Sequence, residues 1–116
     1  MNLNIYISTS NKYLHVLKPF CYLFNKFWSD KQKVTVLGYE EPQFKLPKNF
    51  EFVSMGKQKG MDYWTKDLND FFSSIDDKYF IYAMEDHFIL DSVNHKILDK
   101  LKGYLNDNVG RIGLSN

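Results

Sequence analysis

Three consecutive polar side chains, Glu85, Asp86 and His87, could bind a cation at the end of an apolar run. They follow six mostly large apolar residues, 79–84, and three more apolar residues, 88–90, come directly after them. An ionised carboxylate costs on the order of several kcal/mol in an apolar interior unless a partner compensates it. Carboxylates with an imidazole suit Mn²⁺ or Mg²⁺, ions that are usually shared with substrate phosphates. The trio therefore indicates either a metal or ligand site or a solvated loop that ends a strand.

Polar residues also follow the first two apolar runs of the chain. Hydroxyls and backbone amides there could contact a nucleotide, and carboxylates could accept hydrogen bonds from a ribose or a base. The candidates at these positions are Ser8, Thr9, Ser10, Tyr39, Glu40 and Glu41. Lysine side chains act on phosphates as point charges. The candidate phosphate contacts are Lys57, Lys59 and Lys66.

The composition limits the class of protein. The chain has 116 residues, 44% of them hydrophobic, which suits one globular domain over residues 1–116 with a single core. A formal charge of +1 supplies no large field, so nucleic acid is not an expected partner. Cys21 is the only cysteine, which excludes an intramolecular disulfide and fits a reducing compartment. No segment approaches the roughly 20 apolar residues of a membrane span, and we expect a soluble, cytoplasmic protein.

The apolar periodicity predicts alternating strands and helices. The predicted strands are 3–8, 33–39, 50–54, 78–84 and 109–114. The first helix should kink or restart near Lys18, because Pro19 interrupts its apolar face. Asp62 is the predicted N-cap of the second helix and Asp91 that of the third. The predicted inward face of the third helix is Val93, Ile97, Leu98, Leu101 and Leu105.

This order of elements predicts an α/β fold with a mostly parallel sheet and helices on both of its faces. The nearly unbroken apolar character of the fourth strand favours a central, buried position. Ligands of such sheets bind outside the carboxyl ends of the strands. The trio and the other polar strand ends should therefore meet at one edge of the sheet.

The same features resemble the nucleotide-binding half of a GT-A-fold glycosyltransferase, most closely small glycosyltransferase-like proteins. The segments that carry the resemblance are NIYISTSNKY (4–13), VTVLGYEEP (34–42), DYWTKDLNDFFSSI (62–75) and YFIYAMEDHFIL (79–90). In that fold an Asp-any-Asp motif after the fourth strand binds a metal and the diphosphate of a nucleotide sugar. The resemblance implies a Rossmann-like three-layer α/β/α fold, and it implies that the chain is truncated and lacks the acceptor-binding half.

The resemblance also implies site residues, although it assigns no catalytic residue. The implied metal ligands, for Mn²⁺ or Mg²⁺, are Glu85, Asp86 and His87. The implied donor-binding residues are Ser8, Thr9, Ser10, Tyr39, Glu40, Lys66, Glu85 and Asp86. His87 stands where the family motif usually has a carboxylate, so the ligand could be His87, Asp86 or neither.

Two other functions remain open at the level of the sequence. A non-catalytic nucleotide or sugar-nucleotide binding module is the first, and the missing second half favours it. Another α/β protein that handles nucleotides or phosphate is the second. A nucleotidyltransferase would need a glycine-rich basic loop after the first strand, and a phosphoacceptor signalling domain would need acidic residues there. The segment Ser8–Asn11 has neither feature.

Overall fold

The computed structural model describes residues 3–84, 89 and 92–105, and it contains a four-stranded parallel sheet with three α-helices. The strands are β1 (Ile5–Ser8), β2 (Val34–Gly38), β3 (Phe50–Ser54) and β4 (Ile81–Met84). The helices are α1 (Leu14–Phe27), which a short 3₁₀ turn precedes, α2 (Met61–Ser74) and α3 (His95–Lys102). The predicted α/β fold with a parallel sheet is confirmed. The predicted strand 109–114 and the Glu85-Asp86-His87 trio lie outside the described residues.

The sheet has the strand order β3-β2-β1-β4, and β1 is its most buried strand. Successive side chains of a strand point to opposite faces, and β1 supplies alternate residues to two apolar clusters. Ile5 and Ile7 pack in a cluster with residues of α1 such as Phe20 and Phe24. Tyr6 packs in a second cluster with Leu68 and neighbouring residues of α2. The lone cysteine, Cys21, is buried in the first cluster, where desolvation raises its pKa to about 12.

The first helix runs through Pro19 as one element, so the predicted restart near Lys18 was wrong. Proline lacks the N–H that would donate to the carbonyl of His15, and its ring crowds the preceding turn. Pro19 and His15 are both exposed, so this disturbance falls on the solvent side of α1. The buried side of the helix, which includes Leu17 and Phe24, continues across it.

Both predicted N-caps were wrong. The N-cap of α2 is Gly60, and Asp62 lies inside the first turn, where a carboxylate still interacts favourably with the helix dipole. The N-cap of α3 is Asn94, whose side chain accepts a hydrogen bond from the Ile97 N–H. Asp91 lies outside the described residues and is not the capping residue of this helix.

The predicted inward face of α3 is confirmed only in part. Val93, Leu98, Leu101 and Leu105 are half-buried, whereas Ile97 is 54% exposed. The prediction that β4 is buried was wrong, because none of its residues is fully buried; within the described residues β4 has only β1 beside it. Apolar side chains allow a strand to be buried, but the strand order decides how much of its surface is buried. None of the helices in the described ranges is long and apolar enough to cross a membrane.

Candidate functional site

The carboxyl ends of all four strands lie along one edge of the sheet. Because the pairing is parallel, Ser8 at the end of β1 is in register with Leu37 of β2 and with Met84 of β4. Gly38 at the end of β2 is in register with Ser54 at the end of β3. We call the ends of these strands and the segments 9–11, 39–41 and 55–60 the carboxyl edge.

The strand order reverses at β1. The chain places β2 and β3 on one side of β1 and then returns to place β4 on the other side. In open α/β sheets, ligands bind in the crevice outside the carboxyl ends of the strands at such a reversal. The reversal lies between β1, which leads into Thr9 and Ser10, and β4, whose last residue Met84 directly precedes Glu85 in the sequence.

Two of the three hydroxyls at the end of β1 are hydrogen-bonded within the protein. Ser8 and Thr9 are buried. The Ser8 Oγ lies 2.7 Å from the Tyr82 hydroxyl oxygen, and Thr9 Oγ1 donates a long bond of 3.4 Å to the Ser10 carbonyl. Ser10 is half-buried. Of the three hydroxyls predicted to meet a ligand, that of Ser10 therefore has the best access from solvent.

At the end of β2, Tyr39 and Glu40 differ in accessibility. Tyr39 is buried, and its hydroxyl donates a 2.8 Å hydrogen bond to Asp67 Oδ2 on α2. Desolvation, together with the hydrogen bond to Asp67 and the charge of its carboxylate, raises the pKa of Tyr39 to about 12. Glu40 is exposed. Its carboxylate is therefore the group at this position that solvent or a ligand can reach.

A pair of hydrogen bonds that the sequence did not reveal connects three segments of the carboxyl edge. The Asn11 N–H donates to Gln58 Oε1 at 3.1 Å, and the Asn11 side chain accepts from the Glu40 N–H at 3.1 Å. We call this arrangement the Asn11–Gln58 latch. A signal for it existed in the sequence, because asparagine after a strand is typical of a turn that bonds to backbone groups. The partner of Asn11, 47 positions away, is set by tertiary structure alone.

The candidate lysines lie in two different settings. Lys57 and Lys59 are exposed and lie on either side of the half-buried Gln58. Two glycines with positive φ enclose these three residues, Gly56 at 101° and Gly60 at 116°. Lys66 lies on the exposed side of α2, where its Nζ is 3.0 Å from Asp70 Oδ2. The hydrogen bond to Asp70 and the charge of that carboxylate raise the pKa of Lys66. The carboxyl edge thus carries the first two lysines, while the third already has an ion-pair partner.

A depression of about 290 Å³ lies beside the end of β3. Its walls are formed by Ser54, Met55, Asp67, Asp70 and Phe71. The Ser54 hydroxyl itself is engaged, because it donates to the Tyr39 carbonyl at 2.7 Å. The depression is lined by Asp67, the hydrogen-bond partner of the buried Tyr39, and extends the carboxyl edge along α2.

The described residues contain no group of three histidine, cysteine or acidic side chains placed to bind a metal ion. The predicted ligands Glu85, Asp86 and His87 lie outside those residues. Of the two other histidines, His15 is exposed on α1, and the His95 Nε2 lies 3.0 Å from the Trp28 carbonyl oxygen.

The sequence matches no known protein family and no curated protein. The carboxyl edge offers backbone groups, one accessible serine hydroxyl, two exposed carboxylates (Glu40 and Glu41) and two exposed lysines (Lys57 and Lys59).

Proposed function

We propose that this chain is a glycosyltransferase-like domain that binds a nucleotide-diphosphate sugar at the carboxyl edge. The observation that supports this function is the reversal of strand order at β1, because such reversals are where open α/β sheets bind nucleotides. The chain segment that leaves β4 at this reversal is the one that contains Glu85, Asp86 and His87.

The proposal includes a Rossmann-like, three-layer α/β/α architecture of the GT-A kind. The two apolar clusters support it, since alternate residues of β1 pack with α1 in one cluster and with α2 in the other. Side chains that alternate along a strand lie on opposite faces of the sheet. Helices on both faces would cover the sheet, so a ligand would approach the strand ends from the carboxyl edge.

Each group has a role in the proposed complex. Glu85 and Asp86, with His87 as a third candidate, would hold Mn²⁺ or Mg²⁺, and this ion would neutralise charge on the diphosphate leaving group. Ser10 and Glu40 would contact the nucleoside. A nucleotide-sugar donor and a buried, lone Cys21 are both consistent with a cytoplasmic location.

Thermal unfolding with uridine or guanosine diphosphate, each with and without Mn²⁺, tests the binding. A ligand at about 100 times its dissociation constant stabilises the native state by roughly 2.7 kcal/mol. For a domain of this size we expect a rise of several degrees in the melting temperature. Absence of a shift with every nucleoside diphosphate would reject the proposed function.

The Asp86→Asn variant tests the role of the trio. We expect it to lose the part of the shift that depends on Mn²⁺. The matched control is Asp76→Asn, which makes the same change of charge at an exposed residue before β4, at the opposite end of that strand. If Asp86→Asn and Asp76→Asn show the same dependence on Mn²⁺ as the native chain, the trio does not hold the ion.

A second candidate function is a sugar-nucleotide binding module without catalytic activity. The same carboxyl edge supports it, and it requires neither a catalytic base nor an acceptor site. Hydrolysis of a nucleotide sugar by the purified chain separates the two functions. Binding together with slow, Asp86-dependent hydrolysis supports the transferase, whereas binding without turnover supports the module.

A further inference from the structure

The Asn11–Gln58 latch lies on the carboxyl edge, and its two hydrogen bonds connect the segments that follow β1, β2 and β3. The side-chain oxygen of Gln58 accepts from the backbone of Asn11, whose own side chain accepts from the backbone of Glu40. Ser54 adds a further bond by donating to the Tyr39 carbonyl at 2.7 Å. The segments after β1, β2 and β3 are thus held at fixed spacing by side chains.

The segment Gly56–Gly60, which we call the lysine loop, is held to the rest of the carboxyl edge through its middle residue. Gly56 and Gly60 have positive φ, a conformation that costs other residues energy and that glycine adopts freely. Between them Gln58 is half-buried and bonded to Asn11, while Lys57 and Lys59 on either side are exposed. The latch therefore fixes the backbone between two ammonium groups.

We propose that Asn11 and Gln58 are positioning residues that hold Lys57 and Lys59 against the diphosphate of a bound nucleotide. This inference rests on the proposed function and adds the groups that recognise the phosphates. An exposed lysine contributes little to binding when its side chain and its backbone must both be ordered on contact. A loop that is already fixed by a hydrogen bond removes the backbone part of that cost.

The geometry also distinguishes these lysines from Lys66. Lys66 is paired with Asp70 at 3.0 Å and would have to give up that partner to bind a phosphate. Lys59 Nζ lies 5.9 Å from the centre of the Tyr63 ring, a contact that costs little to exchange at an exposed site. Lys57 and Lys59 are therefore the better phosphate contacts.

Equilibrium binding of uridine diphosphate and of uridine, both with Mn²⁺, tests the lysines. The double variant Lys57→Gln/Lys59→Gln should bind uridine diphosphate roughly three- to tenfold more weakly, as expected for two exposed ion pairs. Its affinity for uridine, which has no phosphate, should stay unchanged. The control Lys31→Gln/Lys48→Gln removes the same charge from two exposed lysines that precede β2 and β3, and it should bind both compounds as the native chain does.

The latch is tested with two variants of one residue. Gln58→Met keeps the length of the side chain and removes the acceptor, whereas Gln58→Glu keeps an acceptor oxygen. Without ligand, trypsin should cleave Gln58→Met after Lys57 and Lys59 several times faster than it cleaves the native chain or Gln58→Glu. Gln58→Met should also lose roughly threefold in affinity for uridine diphosphate and keep its affinity for uridine.

The outcomes separate this inference from the proposed function. Tight binding of uridine diphosphate that neither the lysine variant nor Gln58→Met weakens would overturn the inference and leave the proposed function standing. Equal weakening of uridine and uridine diphosphate would also overturn it, because the change would then be a general disturbance of the carboxyl edge. Failure of the native chain to bind any nucleoside diphosphate would overturn both.

Discussion

The hydroxyl oxygens of Ser8 and Tyr82 lie 2.7 Å apart and join β1 to β4 beside the carboxyl edge. Tyr6 is the register partner of Tyr82, yet its hydroxyl bonds at the opposite end of the strands, where it donates to Asp77 Oδ2 at 2.9 Å. Desolvation by burial, together with the hydrogen bond to Asp77 and the charge of its carboxylate, raises the pKa of Tyr6 to about 12. Tyr82 and Tyr6, on one face of the sheet, therefore form hydrogen bonds at opposite ends of the β1–β4 pair.

Removing either partner of the Ser8–Tyr82 bond should destabilise the protein by different amounts. Tyr82→Phe leaves the Ser8 hydroxyl, 1% exposed, without its partner, and should cost about 1–3 kcal/mol. Ser8→Ala leaves the Tyr82 hydroxyl on a side chain that is 39% exposed, and should cost only about 0.5–1.5 kcal/mol. Urea unfolding of both variants measures the difference.

The double variant Ser8→Ala/Tyr82→Phe is the control for this bond. Because both partners are then absent, its cost should be less than the sum of the two single costs. Additive costs would show that the two hydroxyls do not stabilise each other, and a larger cost for Ser8→Ala than for Tyr82→Phe would contradict the predicted order.

Gly38 is a position where a single methyl group should disturb the carboxyl edge. A Cβ there would lie 2.9 Å from Cε2 of Phe52 and 2.9 Å from Cγ2 of Thr9. Both distances are too short for non-bonded carbon atoms, so both side chains must move in a packed region. Gly38→Ala should therefore destabilise the protein by about 1–3 kcal/mol, which a thermal melt would show as a lower midpoint.

A compensating change provides the control for Gly38. Phe52→Leu removes the ring atoms that the new Cβ meets. Gly38→Ala should therefore cost less stability in the Phe52→Leu variant than in the native protein. If Gly38→Ala is neutral, or if the second change gives no recovery, the close approach of these residues is not what requires glycine at this position.

The sequence predicted the elements well, because each depends on a local pattern. Strand 50–54 was predicted with its observed bounds, and β1, β2 and β4 lie within longer predicted segments. The N-cap of α3 was misplaced, because Asp91 and Asn94 are both good capping residues and only the path of the chain selects Asn94.

The position of β4 beside β1 alone, within the described residues, could not be predicted for a different reason. Its residues, 81–84, are as apolar as those of a central strand, and strand order depends on pairing between segments far apart in the sequence. The candidate site shows the same limit. The sequence identified Ser8 and Tyr39 as polar groups at strand ends, whereas their bonds to Tyr82 and Asp67 depend on tertiary packing.

The aromatic packing of α1 provides a test of its buried face. Phe24 is 1% exposed, and its ring stacks on Trp28 at 5.2 Å and meets Phe50 edge-on at 5.6 Å. Phe24→Ala should cost about 3–5 kcal/mol, a large part of the stability of an ordinary domain. The control is Tyr22→Ala on the same helix, which is 65% exposed and should change stability by about 0.5 kcal/mol or less. Equal losses from the two variants, measured by urea unfolding, would contradict this assignment of the faces of α1.

The hydrogen bond between Tyr39 and Asp67 should make the stability of the protein depend on pH in the alkaline range. The pKa of Tyr39 is about 12 in the folded protein, against an ordinary value of 10.0. Above pH 10 the unfolded chain therefore loses the tyrosine proton first. The stabilisation is fully present below about pH 10 and is lost as the pH rises towards 12. We expect the free energy of unfolding to fall over this range. The absorbance of tyrosinate at 295 nm should rise over the same range, later than for an ordinary tyrosine.

Two variants assign this alkaline decline to Tyr39. Tyr39→Phe loses the hydrogen bond to Asp67, so it should be less stable by about 1–2 kcal/mol at pH 8 and should show a shallower decline between pH 10 and 12. Asp67→Asn keeps an acceptor and removes the negative charge that opposes ionisation of Tyr39, so its decline should also be shallower. Tyr6 titrates late as well, and part of the decline should therefore persist in both variants. A decline as steep as that of the native chain in both variants would mean that Tyr39 does not cause it.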